Sequence, residues 1–259
     1  MSRRGQTVLL GAVLVLGLAI GLAYMPVPYV ALEPGETVNV LGTDGKHDII
    51  TVSGAQVSKS KGQLRLVTVG VYDKFDLVTA MRLWHDDDAA VVPREYVYPP
   101  DKSRKEVERQ DKADFTQSQS TAQAAAFRAL GYDDSKKPTF TVSFDLAGIG
   151  GPSAGLMFAL GTVDKLSAED LTGGRIIAGT GEISADGKVD PIGGIAQKMR
   201  GARRDGSTVF LTPVDNCADA VKNVPKGLRL VKVSSLDDAL SALRALRDGG
   251  HNNEKVQSC

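Results

Sequence analysis

Apolar residues are spread very unevenly along this chain. From Thr7 to Met25, "TVLLGAVLVLGLAIGLAYM", no charge interrupts the run and every face of a helix would be apolar. A bilayer-spanning helix needs about 20 such residues, so the run predicts a transmembrane helix. A cleaved signal peptide has a shorter core, about 7–15 residues, and then a small-x-small site. "YMPVPYV" offers no such site. An uncleaved signal anchor is therefore expected, single-pass in the cell membrane. Arg3 and Arg4 stay in the cytoplasm by the positive-inside rule, and the rest of the chain lies on the extracytoplasmic side.

Pro26, Pro28 and Pro34 predict a short stiff linker over 26–36. Beyond it the pattern shortens to strands: "TVNV", "HDIITVSG" and "QLRLVTVGVYD". In the last, Leu64, Leu66, Thr68 and Gly70 share one face, and Arg65, Val67, Val69 and Val71 the other. Leu77, Ala80, Met81 and Trp84 recur at helical spacing, which predicts a helix within 73–84. A longer helix is expected over 102–130, with Gly131 as its stop signal.

After the polar turn "DDSKKP", "PTFTVSFDL" reads as a strand. "SAGLMFALGTVDKL" is apolar nearly all round, so it predicts a buried helix starting at Ser153. "GRIIAGTGEIS" is a strand, and Asp186-Gly187 turns as in a hairpin. A helix over 194–204, the strand "STVFLTP", a short helix after Asn216 and the strand "LRLVKV" follow. The last helix, "SLDDALSALRAL", opens with a Ser three residues before an Asp, like a capping box. This mixture predicts an α+β domain over 37–247, with a polar tail at 248–259. Residues 1–25 hold the cytoplasmic end and the membrane helix. Trp84 and "VVPREYVYPP" read as ordinary packing, with a substrate groove or a subunit interface as alternatives.

Charge narrows the function. The chain has 31 basic and 31 acidic residues, so its formal net charge is zero. The basic footprint of a nucleic-acid binder is missing. The acidic run at 86–88 is expected to be solvated, and no metal site is predicted. Two cysteines, Cys217 and Cys259, either pair outside the cytoplasm and tie the tail back, or are unrelated thiols.

The candidate chemistry lies in "GIGGPSAG", residues 148–155. A phosphate-binding P-loop needs a lysine after its last glycine, and none is present. A dinucleotide loop needs glycine at its sixth place, where Ser153 stands. The remaining pattern, G-x-S-x-G, allows a nucleophilic Ser153. It equally allows a Ser153 that caps the following helix. A serine nucleophile needs a base. Of the histidines His47, His85 and His251, only His251 follows the serine, and it lies in the polar tail. Lys198 is the other candidate. It flanks the apolar stripe Ile195, Met199 and Ala202, where burial would lower its pKa. A lysine that snorkels to water is the plain alternative.

Three motifs decide between these. "GPSAG" at 151–155, "GTGEISADGKVDPIGGIAQK" at 179–198 and "VFLTPVDN" at 209–216 resemble the proteolytic domain of Lon proteases. The chain is most similar to membrane-anchored Lon-like proteases without an ATPase module, over roughly residues 30 to 247. The resemblance implies an ATP-independent serine endopeptidase acting on protein or peptide substrates, without a cofactor and within a homo-oligomeric ring. It assigns Ser153 as nucleophile, Lys198 as general base and Thr180 as the residue that orients the lysine. Gly150 and Gly151 lie where substrate and backbone amides would approach the serine. Two departures stand out. ATP-dependent Lon proteases commonly carry an aspartate where Gly150 stands, and the PDZ module usual in the anchored relatives is not expected here. The alternatives are a silent membrane-tethered scaffold on the same fold and an esterase dependent on His251.

Overall fold

The computed structural model describes residues 3–45, 47–133, 135–249 and 256–259. In chain order the first half holds α1 (Arg3–Ala23), β1 (Tyr29–Asn39), β2 (Ile50–Ser53), β3 (Gln63–Tyr72), α2 (Leu77–Trp84), β4 (Ala90–Pro93) and α3 (Arg104–Ala129). The second holds β5 (Thr141–Phe144), α4 (Gly155–Leu166), β6 (Ile176–Gly179), β7 (Glu182–Ile183), β8 (Val189–Asp190), α5 (Ile195–Arg204), β9 (Val209–Pro213), α6 (Cys217–Ala220), β10 (Arg229–Val233) and α7 (Leu236–Gly249). This is the expected mixed α+β architecture.

The chain divides into two units, 1–33 with 70–103 and 34–69 with 104–259. Strands β1 and β3 pass from one to the other. In the smaller unit, β4 pairs antiparallel with the start of β1, from Tyr29 opposite Pro93 to Leu32 opposite Ala90. The expected linker is therefore corrected: residues 29–36 belong to β1. Pro34 lies past the β4 pairing, so its missing N–H costs no bond to that strand. Helix α1 has no buried residue. It is long and apolar enough to cross a membrane, a property shared by membrane spans and signal sequences.

The larger unit carries the sheet that positions the site. Its strands run in the order β10-β9-β6-β3-β1. Neighbours β3 and β6, β6 and β9, and β9 and β10 are parallel. Strand residues alternate between faces. Ile177, Val209, Leu211, Val231 and Val233 pack into the main core with α3, α4 and α7. Ala178, Phe210 and Leu230 face the other way, onto Ile195, Met199 and Ala202 of α5. Both faces of the sheet are thus covered, as a parallel sheet requires. Helix α4 is buried from Gly155 to Lys165, which fits its apolar surface. Its Gly161 leaves room for Val40 and Ile50, which a Cβ there would strike at 2.8 and 2.6 Å.

Three sequence expectations change. Helix α4 begins at Gly155, after a 3-10 turn at Pro152–Ala154, and no side chain caps either. The cap role for Ser153 is not realised. "GRIIAGTGEIS" is two strands, β6 and β7, broken at Thr180 and Gly181. Trp84 and Met81 are not packed: both are exposed, and only Ala80 of α2 is buried.

Cys217 and Cys259 form a disulfide. It secures a tail whose Val256 is buried in the main core and whose Gln257 carbonyl accepts from Lys232 N–H at 3.1 Å.

Candidate active site

Two helices on opposite faces of the sheet meet the carboxyl end of β6. The turn before α4 brings Ser153, and α5 brings Lys198. Between them stands Thr180, the residue after Gly179 that ends β6. In parallel sheets this end of the strands is where sites are built.

Thr180 is fully buried and links both partners. Its Oγ1 donates to the Ser153 carbonyl at 3.1 Å and accepts from Lys198 Nζ at 3.2 Å. The Ser153 carbonyl also accepts from Gly181 N–H at 3.0 Å, and Leu156 N–H donates to the Gly181 carbonyl at 3.1 Å. The serine turn is thereby stitched to the chain after β6. Gly181 has to be glycine: a Cβ would meet Val189 Cγ1 at 2.7 Å.

Lys198 is 5% exposed, so it does not snorkel. The Thr180 contact is the only hydrogen bond its side chain makes among the described residues, and no carboxylate pairs with it there. Burial alone lowers its pKa to about 7. A lysine in such a place can be neutral near physiological pH and take a proton.

The start of α5 is fixed from two sides. Gly194 adopts φ 68°, and a Cβ on it would strike Val69 Cγ2 at 2.7 Å. Asn216 accepts from Ile192 N–H and donates to the Ile192 carbonyl, each at 2.9 Å. Asn216 therefore holds the loop that leads to the lysine helix. The sequence placed it in the third motif but gave it no role, because its partner is backbone with no signature of its own.

In the glycine loop before the serine, Gly148 and Gly150 are exposed and Ile149 and Gly151 are half-buried. Gly151 has φ 80° and ψ 163°, a backbone conformation open only to glycine. Its N–H donates to the carbonyl of Asp111 on α3 at 2.8 Å. A Cβ on Gly150 would lie 3.0 Å from Asp111 Cβ. Burial raises the Asp111 carboxyl above its usual range, with Asp114 and Glu108 adding to the effect. Asp111 carried no sequence signal, since it sits among many polar residues of a long helix.

The histidines give no competing base in the described residues. His47 is exposed and 3.7 Å from Asp145, and His85 is exposed against the Met81 carbonyl. His251 lies outside the described residues. No cluster of three or more metal-binding side chains occurs among the described residues.

Residues 147–245 match the family model of the Lon protease (S16) C-terminal proteolytic domain. That stretch resembles a Lon-type proteolytic domain. Lon protease 1 of Bacillus subtilis (strain 168) is 39% identical over 93 residues, 35% of this chain and 12% of its own length. Lon protease 1 of Sorangium cellulosum (strain So ce56) is 42% identical over 100 residues, 38% of this chain and 12% of its own. Lon protease of Clostridioides difficile (strain 630) is 37% identical over 107 residues, 40% of this chain and 13% of its own. The aligned stretch thus spans about an eighth of these relatives. The matched segment contains the Ser153 turn, Thr180, Lys198 and Asn216. Asp111, on α3, precedes the matched segment.

Proposed function

We propose that this protein is an ATP-independent serine endopeptidase with a Ser153–Lys198 dyad. The observation that carries the reading is Lys198. It is buried, unpaired with any carboxylate among the described residues and joined through Thr180 to the serine turn.

Neutral Lys198 accepts the Ser153 hydroxyl proton as Oγ attacks a peptide carbonyl. The resulting ammonium donates that proton to the leaving amine. Water, deprotonated by the same lysine, then releases the acyl group. Backbone N–H groups at the serine turn stabilise the oxyanion. Gly151 N–H joins them only after leaving the Asp111 carbonyl. Substrate binds extended, as a strand added along a sheet edge near the glycine loop. Protein or peptide substrates and a homo-oligomeric ring are part of this reading by likeness to Lon proteases.

The same reading makes α1 an uncleaved anchor with the proteolytic unit on the extracytoplasmic side. The Cys217–Cys259 disulfide supports that side, since such bonds persist in oxidising compartments.

Hydrolysis of an unfolded protein by the full chain without ATP tests the dyad. Ser153→Ala and Lys198→Ala should each abolish cleavage; cleavage equal to wild type in either variant rejects it. One observation favours a second reading, a silent scaffold: Gly151 N–H is already engaged by Asp111. A fluorophosphonate probe separates the two, because only a working nucleophile becomes labelled at Ser153.

A further inference from the structure

Helix α2 is built the wrong way round for a helix in water. Its inward side is small: Ala80 is buried, and Leu83 packs against a minor core of Ala31, Phe75 and Ala80. Its large apolar residues point outward. Leu77 is 42% exposed, Val78 46%, Met81 60% and Trp84 74%. Leu77, Met81 and Trp84 fall on one stripe at helical spacing, with Val78 and Arg82 at its border. A helix that only shields a core places such residues inward.

The start of α2 is fastened to the end of α1. Val27 N–H donates to the Phe75 carbonyl at 3.2 Å, and Pro26 bridges to Asp76. Asp76 is also the cap of α2, accepting from Thr79 N–H at 2.8 Å. Only Tyr24 and Met25 separate Ala23, the last residue of α1, from Pro26. Three residue steps reach at most about 11 Å. The polar interface on each side of a bilayer is about 5–8 Å thick. A spanning α1 therefore delivers the start of α2 to the lipid surface.

We propose that α2 is an interfacial anchor, its outward stripe of Leu77, Met81 and Trp84 seated at the boundary between lipid headgroups and acyl chains beside α1. This rests on the reading of α1 as a membrane span. Trp84 and the exposed Tyr24 are the residue types that concentrate in this zone, with an apolar ring and a polar edge. Arg82 borders the stripe, where its guanidinium reaches lipid phosphates. Asp86, Asp87 and Asp88 follow the helix and stay in water, which limits how deeply it sinks. Such a contact fixes the smaller unit against the bilayer rather than leaving it on a free tether.

Trp84 is the chain's only tryptophan, so its fluorescence reports on this site alone. The full chain is reconstituted in phosphatidylcholine vesicles, with or without lipids brominated on the acyl chain. Flotation and resistance to alkaline extraction first establish that α1 is embedded. The expected result is a blue-shifted emission, strong quenching by brominated lipid and weak quenching by aqueous acrylamide. Leu77→Glu with Met81→Glu changes only exposed side chains. It should cut the brominated-lipid quenching several-fold while leaving extraction resistance intact. An embedded chain whose Trp84 is open to acrylamide and indifferent to brominated lipid overturns the proposal and leaves α1 standing. Protection from acrylamide without lipid quenching also overturns it, since a second copy then covers the stripe. A chain that does not float overturns both readings.

Discussion

Lys198 Nζ lies 3.2 Å from Thr180 Oγ1, and the same hydroxyl donates to the Ser153 carbonyl. One threonine hydroxyl thus bridges the two halves of the site across the end of β6. It accepts from the lysine whether that group is neutral or charged, so it fixes position without fixing protonation.

In the proposed dyad Lys198 has to be neutral to act as base, and burial brings its pKa to about 7. Cleavage by the full chain should therefore rise as pH increases through about 7 and level off above it. A profile that instead rises only near the pKa of an ordinary lysine, about 10.4, would contradict the assignment.

The same burial costs stability. The folded pKa, about 7, is below the unfolded value of about 10.4. The cost of burying the group is therefore full below pH 7 and is relieved as pH rises between the two values. Lys198→Met should destroy activity yet stabilise the fold, by on the order of 4 kcal/mol below pH 7. The gain should shrink at alkaline pH. Denaturant unfolding at pH 6 and pH 9 measures both; a destabilised variant at pH 6 would refute it.

Thr180→Val keeps the shape of the side chain but removes both hydrogen bonds. A hydrogen bond to a charged group contributes about 1.5–3 kcal/mol, so kcat should fall about ten- to a hundredfold. KM should change little, and the pH profile should keep its midpoint near 7, because burial and not this hydroxyl sets the lysine's pKa. Thr180→Ser should restore most of the activity. Equal kcat in the Val and wild-type proteins would remove Thr180 from the site.

Gly150 touches α3. An alanine Cβ there would sit 3.0 Å from Asp111 Cβ, so one of them has to give way. Gly150→Ala should loosen the bond from Gly151 N–H to the Asp111 carbonyl. Hydrogen exchange at residues 148–151 should become faster, and phosphonate labelling of Ser153 should speed up with the freed amide. Unchanged exchange in this loop would show that the Asp111 contact is not a constraint.

Replacing both Cys217 and Cys259 by Ser frees the buried Val256 from its covalent tie. Closing a loop of this length is worth about 2–4 kcal/mol, and the variant should lose that much in thermal or denaturant unfolding. Cys217 follows Asn216, so the loop at Ile192 should also exchange faster. Equal stability of wild type and variant would mean that the tail adds nothing.

Sequence pattern was enough to set the periodic elements and to mark candidate reactive groups. Uninterrupted apolar residues made α1 and α4 legible, and alternation made β3 legible. Ser153 and Lys198 stood out as candidates within their motifs. Tertiary structure decided what contact geometry alone can decide. The pKa of Lys198 depends on the other chain segments that exclude water from it. The roles of Asp111 and Asn216 run through backbone carbonyls and amides, which every residue possesses and no sequence pattern marks. The orientation of α2 was equally hidden. Helical spacing places Leu77, Met81 and Trp84 on one face, but only packing shows which face is turned to the core, and here it is the smaller one.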